Sequence, residues 1–215
     1  QTSSDFGPIG WRRLGQDIYG ENAIDHSGIS VSIIKDDTNG IIVAIGAYYN
    51  DGTANNSGHV RIYQYDVTKT TNVTDQTSSD FGPVGWRRLG QDIDGEAQSG
   101  GSVSLSSDGH TVAIGAKFGN NINTSVSVTG LVRVYEYVSS SWSQVGSDIY
   151  GDISIDKFGT SVSLSSDGTI VAIGAPENDD NASQAGRVSI YQYSSGSWSP
   201  YGTDITGDNS NDYSG

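Results

Sequence analysis

Two hydrophobic patterns recur along the chain. In VRIYQY (residues 60–65), VRVYEY (132–137) and VSIYQY (188–193), apolar and polar positions alternate. That is the period of a half-buried strand, and the residues are the β-branched and aromatic types that suit one. IIVAIGA (41–47), TVAIGA (111–116) and TIVAIGA (169–175) are instead apolar and small on both faces, which predicts a strand covered on both sides. In an antiparallel protein this requires a sheet stacked on either side. Ahead of each run comes SVSLSSDG (102–109 and 161–168) or, in the first case, SVSIIKDDTNG (30–40). There Val, Leu and Ile alternate with Ser, so one face is apolar and the other small and hydroxylated. Asn39-Gly40, Asp108-Gly109 and Asp167-Gly168 separate the two runs, and such pairs supply the positive φ of a tight hairpin. No helical period is present.

These patterns belong to a repeat. WRRLGQDI occurs at 11–18 and 86–93, with looser copies WSQVGSDI (142–149) and WSPYGTDI (198–205), so the Trp spacings are 75, 56 and 56. The leader QTSSDFGPIG (1–10) returns as QTSSDFGPVG (76–85). Counted from Trp, the units are 11–85 with an insertion at 66–85, 86–141, 142–197 and a partial unit 198–215. Four strand segments per unit, one of them buried on both faces, describe a blade, and radially stacked blades make a β-propeller. A parallel β-helix has much shorter rungs, and an immunoglobulin-like sandwich would not repeat its Trp segment. The expected fold is therefore all-β, a propeller of four-stranded antiparallel blades with the VAIGA strand near the axis. The partial unit is expected to open a fourth blade. The remaining blades would then come from a longer parent chain or from another copy of this one.

Phe158-Gly159, followed after a hairpin by Gly174-Ala175-Pro176, resembles the FG-GAP repeat of integrin α-subunit-type β-propellers. Unit one carries Ser27-Gly28 and Gly46-Ala47-Tyr48 in these places, and unit two Gly100-Gly101 and Gly115-Ala116-Lys117. The resemblance implies an extracellular adhesion or ligand-binding propeller, often with calcium in the hairpin loops. Those loops follow a D-x-D-x-D-G-x-x-D pattern, in which several carboxylates surround a hard cation. The matching positions here are Ser163, Ser165, Asp167, Gly168 and Val171, and in unit two Ser104, Ser106, Asp108, Gly109 and Val112. Both are too poor in carboxylates, so no calcium is expected there. Unit one keeps Asp36, Asp37 and Asn39, the one candidate calcium set, although Val43 stands at the last ligand position.

Composition sharpens the functional reading. Lys plus Arg number 11 against 25 Asp plus Glu, a net charge of −14, which repels nucleic acid and anionic lipid. Without Cys there is no disulfide framework, thiolate zinc site or cysteine nucleophile. No apolar run approaches the roughly 20 residues of a membrane-spanning helix. The chain lacks Met and starts at Gln1 without a targeting segment, as a processed or excised piece of a longer protein would. His26, His59 and His110 are isolated, and no nucleophile elbow, phosphate loop or dinucleotide fingerprint occurs. The loops after VAIGA are rich in Asn and Asp, residues that favour turns. They contain glycosylation sequons at Asn55, Asn123 and Asn181, with a fourth at Asn72 in the insertion. Arg12-Arg13 and Arg87-Arg88 are expected to be ion-paired on the acidic surface, and Tyr63, Tyr65, Tyr135, Tyr137, Tyr191 and Tyr193 to pack within blades. The expected function is a non-enzymatic extracellular or cell-surface propeller, without cofactor, that contacts a protein or glycan. The alternative is a carbohydrate-binding or carbohydrate-active propeller using loop Asp and Tyr.

Overall fold

The computed structural model describes residues 12–120 and 128–215. They form three antiparallel sheets with no helix among the described residues. The first holds β1 (Ser30–Asp36), β2 (Gly40–Ala47), β3 (His59–Tyr65), β4 (Trp86–Arg88) and β5 (Ile93–Asp94). The second holds β6 (Ser102–Leu105), β7 (Thr111–Ala116), β8 (Leu131–Val138), β9 (Ser141–Gln144) and β10 (Ile149–Tyr150). The third repeats the order with β11 (Ser161–Leu164), β12 (Ile170–Ala175), β13 (Arg187–Ser194), β14 (Ser197–Pro200) and β15 (Ile205–Thr206). Each sheet is a meander with four strand positions, the outermost shared by two short strands that both pair with the third. These are the blades of a β-propeller.

The blades are offset from the Trp-based units. The Trp segment that follows each YQY-type strand, across a short hairpin in the second and third blades and across the insertion 66–85 in the first, closes the preceding sheet: Tyr65 pairs with Trp86, Tyr137 with Trp142 and Tyr193 with Trp198. Residues 198–206 accordingly supply β14 and β15 of the third blade and do not open a fourth. The VAIGA strand is also one position further out than expected. The serine strand takes the sheet edge, where neighbouring blades approach one another through β1, β6 and β11. Its small hydroxylated face permits that approach; the bulkier Val and Ile of VAIGA do not.

Successive blades share hydrophobic cores. Ile42, Ala44, Val60 and Ile62 of the first blade pack on Val103, Leu105, Val112 and Ile114 of the second. Ala113, Val132 and Val134 of the second then pack on Val171, Ile173 and Ala175 of the third. Burial in the central strand follows directly. In β7, Val112, Ala113 and Ile114 are all buried, whereas in β2 only Ile42 and Ala44 of the 41–45 run are, and in β12 Val171 and Ile173 but not Ile170 or Ala172. The end blades thus bury opposite faces. Val31 and Ile33 are 64% and 66% exposed, whereas their counterparts Val103 and Leu105 are 8% and 6% exposed.

Candidate functional site

The sites repeated in every blade lie where blades meet. The first is a glycine seam. Gly28, Gly100 and Gly159 have φ of 91°, 87° and 85°, a region open essentially to glycine. Each donates its N–H to a carbonyl of its own blade, at Gly46, Gly115 and Gly174 (2.9, 3.1 and 3.0 Å). Each of Gly100 and Gly159 also lies against the preceding blade. A Cβ on Gly46 would stand 2.0 Å from the Gly100 carbonyl oxygen, and one on Gly115 would stand 2.1 Å from that of Gly159. The FG glycine is therefore clasped between two GA segments, and no side chain fits at either place. Unit two's seam pair is Ser99-Gly100, one residue earlier than the Gly100-Gly101 pair read from the sequence, because Gly100 makes both contacts.

Serines stitch the inner edges. Ser30 Oγ donates to Gly100 O (2.7 Å) and Ser102 Oγ to Gly159 O (2.8 Å). The Leu105 N–H donates to Ser32 Oγ (3.0 Å) and the Leu164 N–H to Ser104 Oγ (2.9 Å). Edge-strand amides that would otherwise be unpaired are satisfied in this way. At the outer edge the stitch is an indole. Trp86, Trp142 and Trp198 donate from Nε1 to the carbonyls of Leu14, Leu89 and Val145 (3.3, 2.7 and 2.8 Å). Tyr65, Tyr137 and Tyr193 pack on these same rings.

The third device is ionic. Arg61 on β3 bonds Asp92 of its own blade (2.6 Å) and also Glu21, in the segment before that blade. Arg133 on β8 bonds Asp148 of its own blade (2.8 and 2.7 Å) and also Glu96, from the segment that precedes its blade. Blade three has Ser189 at the matching position of β13. There Arg187, two residues earlier, reaches the equivalent carboxylates, Asp204 (3.5 Å) and Asp152 (3.7 Å), together with Asp180 (3.0 Å) and Asp156 (3.9 Å). Burial alone would raise the Asp92 and Asp148 carboxyls, but hydrogen bonds and charge from Arg61 and Arg133 hold both below the usual range. Asp156 behaves oppositely. Burial, reinforced by Asp180 and Asp179, raises its carboxyl despite the amide of Asn178 and the Arg187 charge.

On the rim that carries the post-GA loops, Asn50 Nδ2 donates to Asp25 (3.0 Å) and Asn178 Nδ2 to Asp156 (2.6 Å), all four residues being buried. Unit two has Ala97 and Gly119 in these places, so both partners are replaced together. On the opposite rim, both Asp36 oxygens accept local donors, the N–H of Thr38 (2.6 Å) and the N–H and side-chain amide of Asn39 (3.1 and 2.7 Å). Asp37 is exposed, and among the described residues no group of three carboxylate or imidazole side chains is arranged to hold a metal ion. Asn55 and Asn72 are exposed, Asn181 donates its amide to Gly207 O (2.7 Å), and Asn123 lies outside the described residues. Arg87 is paired with Asp66 and Asp80, and Arg88 with Asp92. The insertion 66–85 lays Phe81 beneath the guanidinium groups of Arg61 and Arg88 (5.2 and 4.7 Å), over the first blade's open face. Between it and residues 13–21 lies a cavity of about 540 Å³.

Residues 153–191 match the model of the FG-GAP repeat family. The third unit is an FG-GAP repeat. Units one and two share its glycine seam, so the FG-GAP signature in this chain marks the contact between blades. No curated protein matches the sequence. Among solved structures, the "Complex of KlAtg21 with coiled-coil of AgAtg16" is similar at a TM-score of 0.42 and 11% identity, over 83% of this chain. The chain spans 58% of that chain's length.

Proposed function

We propose that the chain is a non-enzymatic propeller segment that acts at the cell surface or outside the cell and holds a protein or glycan through its loop rim. The observation that carries this reading is a division of labour. Residues repeated between blades are mostly engaged in seams, whereas the post-GA loops differ from unit to unit and expose Asp51, Asp179 and Asp180 on their rim. Variable loops on a rigid scaffold are the usual place for recognition, and an acidic rim favours a partner with basic or hydroxyl-rich groups. Loop sequons at Asn55 and Asn72, both on exposed side chains, support an extracellular setting.

The carbohydrate-active reading has one observation in its favour, the cavity under the insertion, where Tyr19 and Phe81 stand beside Asp17, Glu21 and Gln76. A glycan and basic-peptide array run beside a glycoside hydrolase screen separates the two. The adhesive role predicts binding without turnover, weakened at least tenfold when Asp51, Asp179 and Asp180 are replaced by Ser. Turnover of any glycan contradicts it.

A further inference from the structure

We propose that the cavity under the insertion seats the protein's own carbohydrate. Asn72 carries an N-linked glycan, and the first sugar of that glycan lies against Tyr19, between the insertion 66–85 and residues 13–21. The insertion has no counterpart in the second and third blades, and the hollow is bounded by it. At about 540 Å³, the volume is within the range of small-molecule sites, about 300–1,000 Å³. Asn72 and Thr74, the two obligatory residues of the sequon, both line it. Paired hydrogen bonds between the backbones of Val73 and Gly82 (3.0 Å each) hold this stretch in place. Both sequon side chains are exposed, and neither makes a hydrogen bond among the described residues. The Asn72 amide is therefore available, and a glycan on it breaks no existing contact. The other sequons lack this setting. Asn181 already donates its amide to Gly207 O (2.7 Å), and Asn55 is not part of the cavity wall.

The chemistry of the wall suits a neutral sugar better than an ion. Its four charged residues are balanced in pairs, Arg13 with Asp17 (3.6 Å) and Arg61 with Glu21, which leaves no net charge to attract a phosphate or a cation. Tyr19 is 78% exposed, a large apolar face left in water, and its phenol donates to Asp17 (3.3 Å), which orients the ring. The C–H face of a pyranose covers such a ring as an apolar group would. Gln16 is exposed, and its side chain makes no hydrogen bond among the described residues, so its amide can pair with the sugar's acetamido or hydroxyl groups. In the transfer itself, Asn72 Nδ2 forms a bond to the anomeric carbon of a lipid diphosphate-linked oligosaccharide supplied by the host. The bond from that carbon to the diphosphate oxygen breaks, the diphosphate departs with the electron pair, and the amide nitrogen gives up a proton. The cavity takes no part in that step; it receives the sugar as the chain folds. The proposal rests on the extracellular setting of the reading above and not on its rim partner.

The test is to produce the whole chain behind a secretion signal in a host that attaches high-mannose glycans, and to trim the product with endoglycosidase H to single N-acetylglucosamine residues. It is compared with the Thr74→Ala variant, which loses the sequon and keeps Asn72. Peptide mass spectrometry is expected to find N-acetylglucosamine on Asn72. Amide exchange in residues 13–21 and 66–85 should be roughly fivefold slower in the trimmed protein than in Thr74→Ala. Tyr19→Ser should keep the sugar on Asn72 and lose most of that protection, an outcome that a glycan projecting into water would not give. A bare Asn72 overturns the proposal, as does a sugar that leaves exchange unchanged, or protection that survives Tyr19→Ser. The added secretion signal makes the result independent of where the protein resides, so a bare Asn72 leaves the rim reading to be judged by its own array.

Discussion

The second and third blades carry nearly the same strands in the same order, yet they bury them differently. SVSLSSDG is identical in both, but Ser102 and Val103 are buried in the second blade while Ser161 and Ser163 are exposed in the third. TVAIGA is covered on both faces and its third-blade copy on one. Hydrogen bonding within the sheets is the same, with β7 and β12 each paired on both sides in matching register. The difference lies wholly in what stands beyond the sheet. Burial here is a property of the stack, as in other arrays where each repeat is stabilised by its neighbours.

The contrast between these blades is most strongly disturbed at the seam. Gly115 has no unusual φ, but a Cβ there would meet the Gly159 carbonyl at 2.1 Å. Gly115→Val should therefore wedge the second and third blades apart and cost about 3 kcal/mol in urea unfolding. Gly196 has φ of 88° and nothing within 4 Å of where a Cβ would stand. Gly196→Ala tests conformation alone and should cost only about 1 kcal/mol. Equal effects at the two positions would show that the seam is not held by close approach.

A smaller effect is expected at the ionic clasp. Arg133→Met removes three charge-assisted bonds, one of them to the segment before its blade, and should cost about 2 kcal/mol at pH 7. Because Asp148 and Asp92 titrate below their usual range when folded, the clasps add stability above the unfolded carboxylate value, about 3.9. That stability is lost as pH falls through the lower folded value. The Arg133→Met variant should lose the part of this acid sensitivity that Asp148 contributes. Asp156, whose carboxyl is raised, works in the opposite direction and sets a limit on the total acid effect.

Much of this was legible in the sequence, and the unread parts share a cause. Two-sided apolar runs and Asn-Gly or Asp-Gly turns identify strands, hairpins and blades, since period and turn chemistry are local. Assigning the Trp segment to the blade before it depends on pairing partners, as does placing the serine strand inside VAIGA, and local pattern does not encode them. The Arg61–Glu21 and Arg133–Glu96 clasps join residues 40 and 37 positions apart, beyond any motif. A signal did exist in the paired change of Asp25 and Asn50 to Ala97 and Gly119. In blade three the arginine moved from the position of Ser189 to that of Arg187, which hides the repeat from a positional reading.

Whether contacts between blades, rather than pairing within sheets, set stability is decided by native-state hydrogen exchange in the three central strands. Of these, β7 and β12 have matching ladders and differ in how many faces a neighbour covers, while β2 has a longer ladder with β1 and still only one blade beside it. If blade contacts dominate, the amides of β7 exchange slowest, with β2 and β12 faster by a similar factor. Equal protection in all three strands, or slower exchange in either end blade, would contradict it.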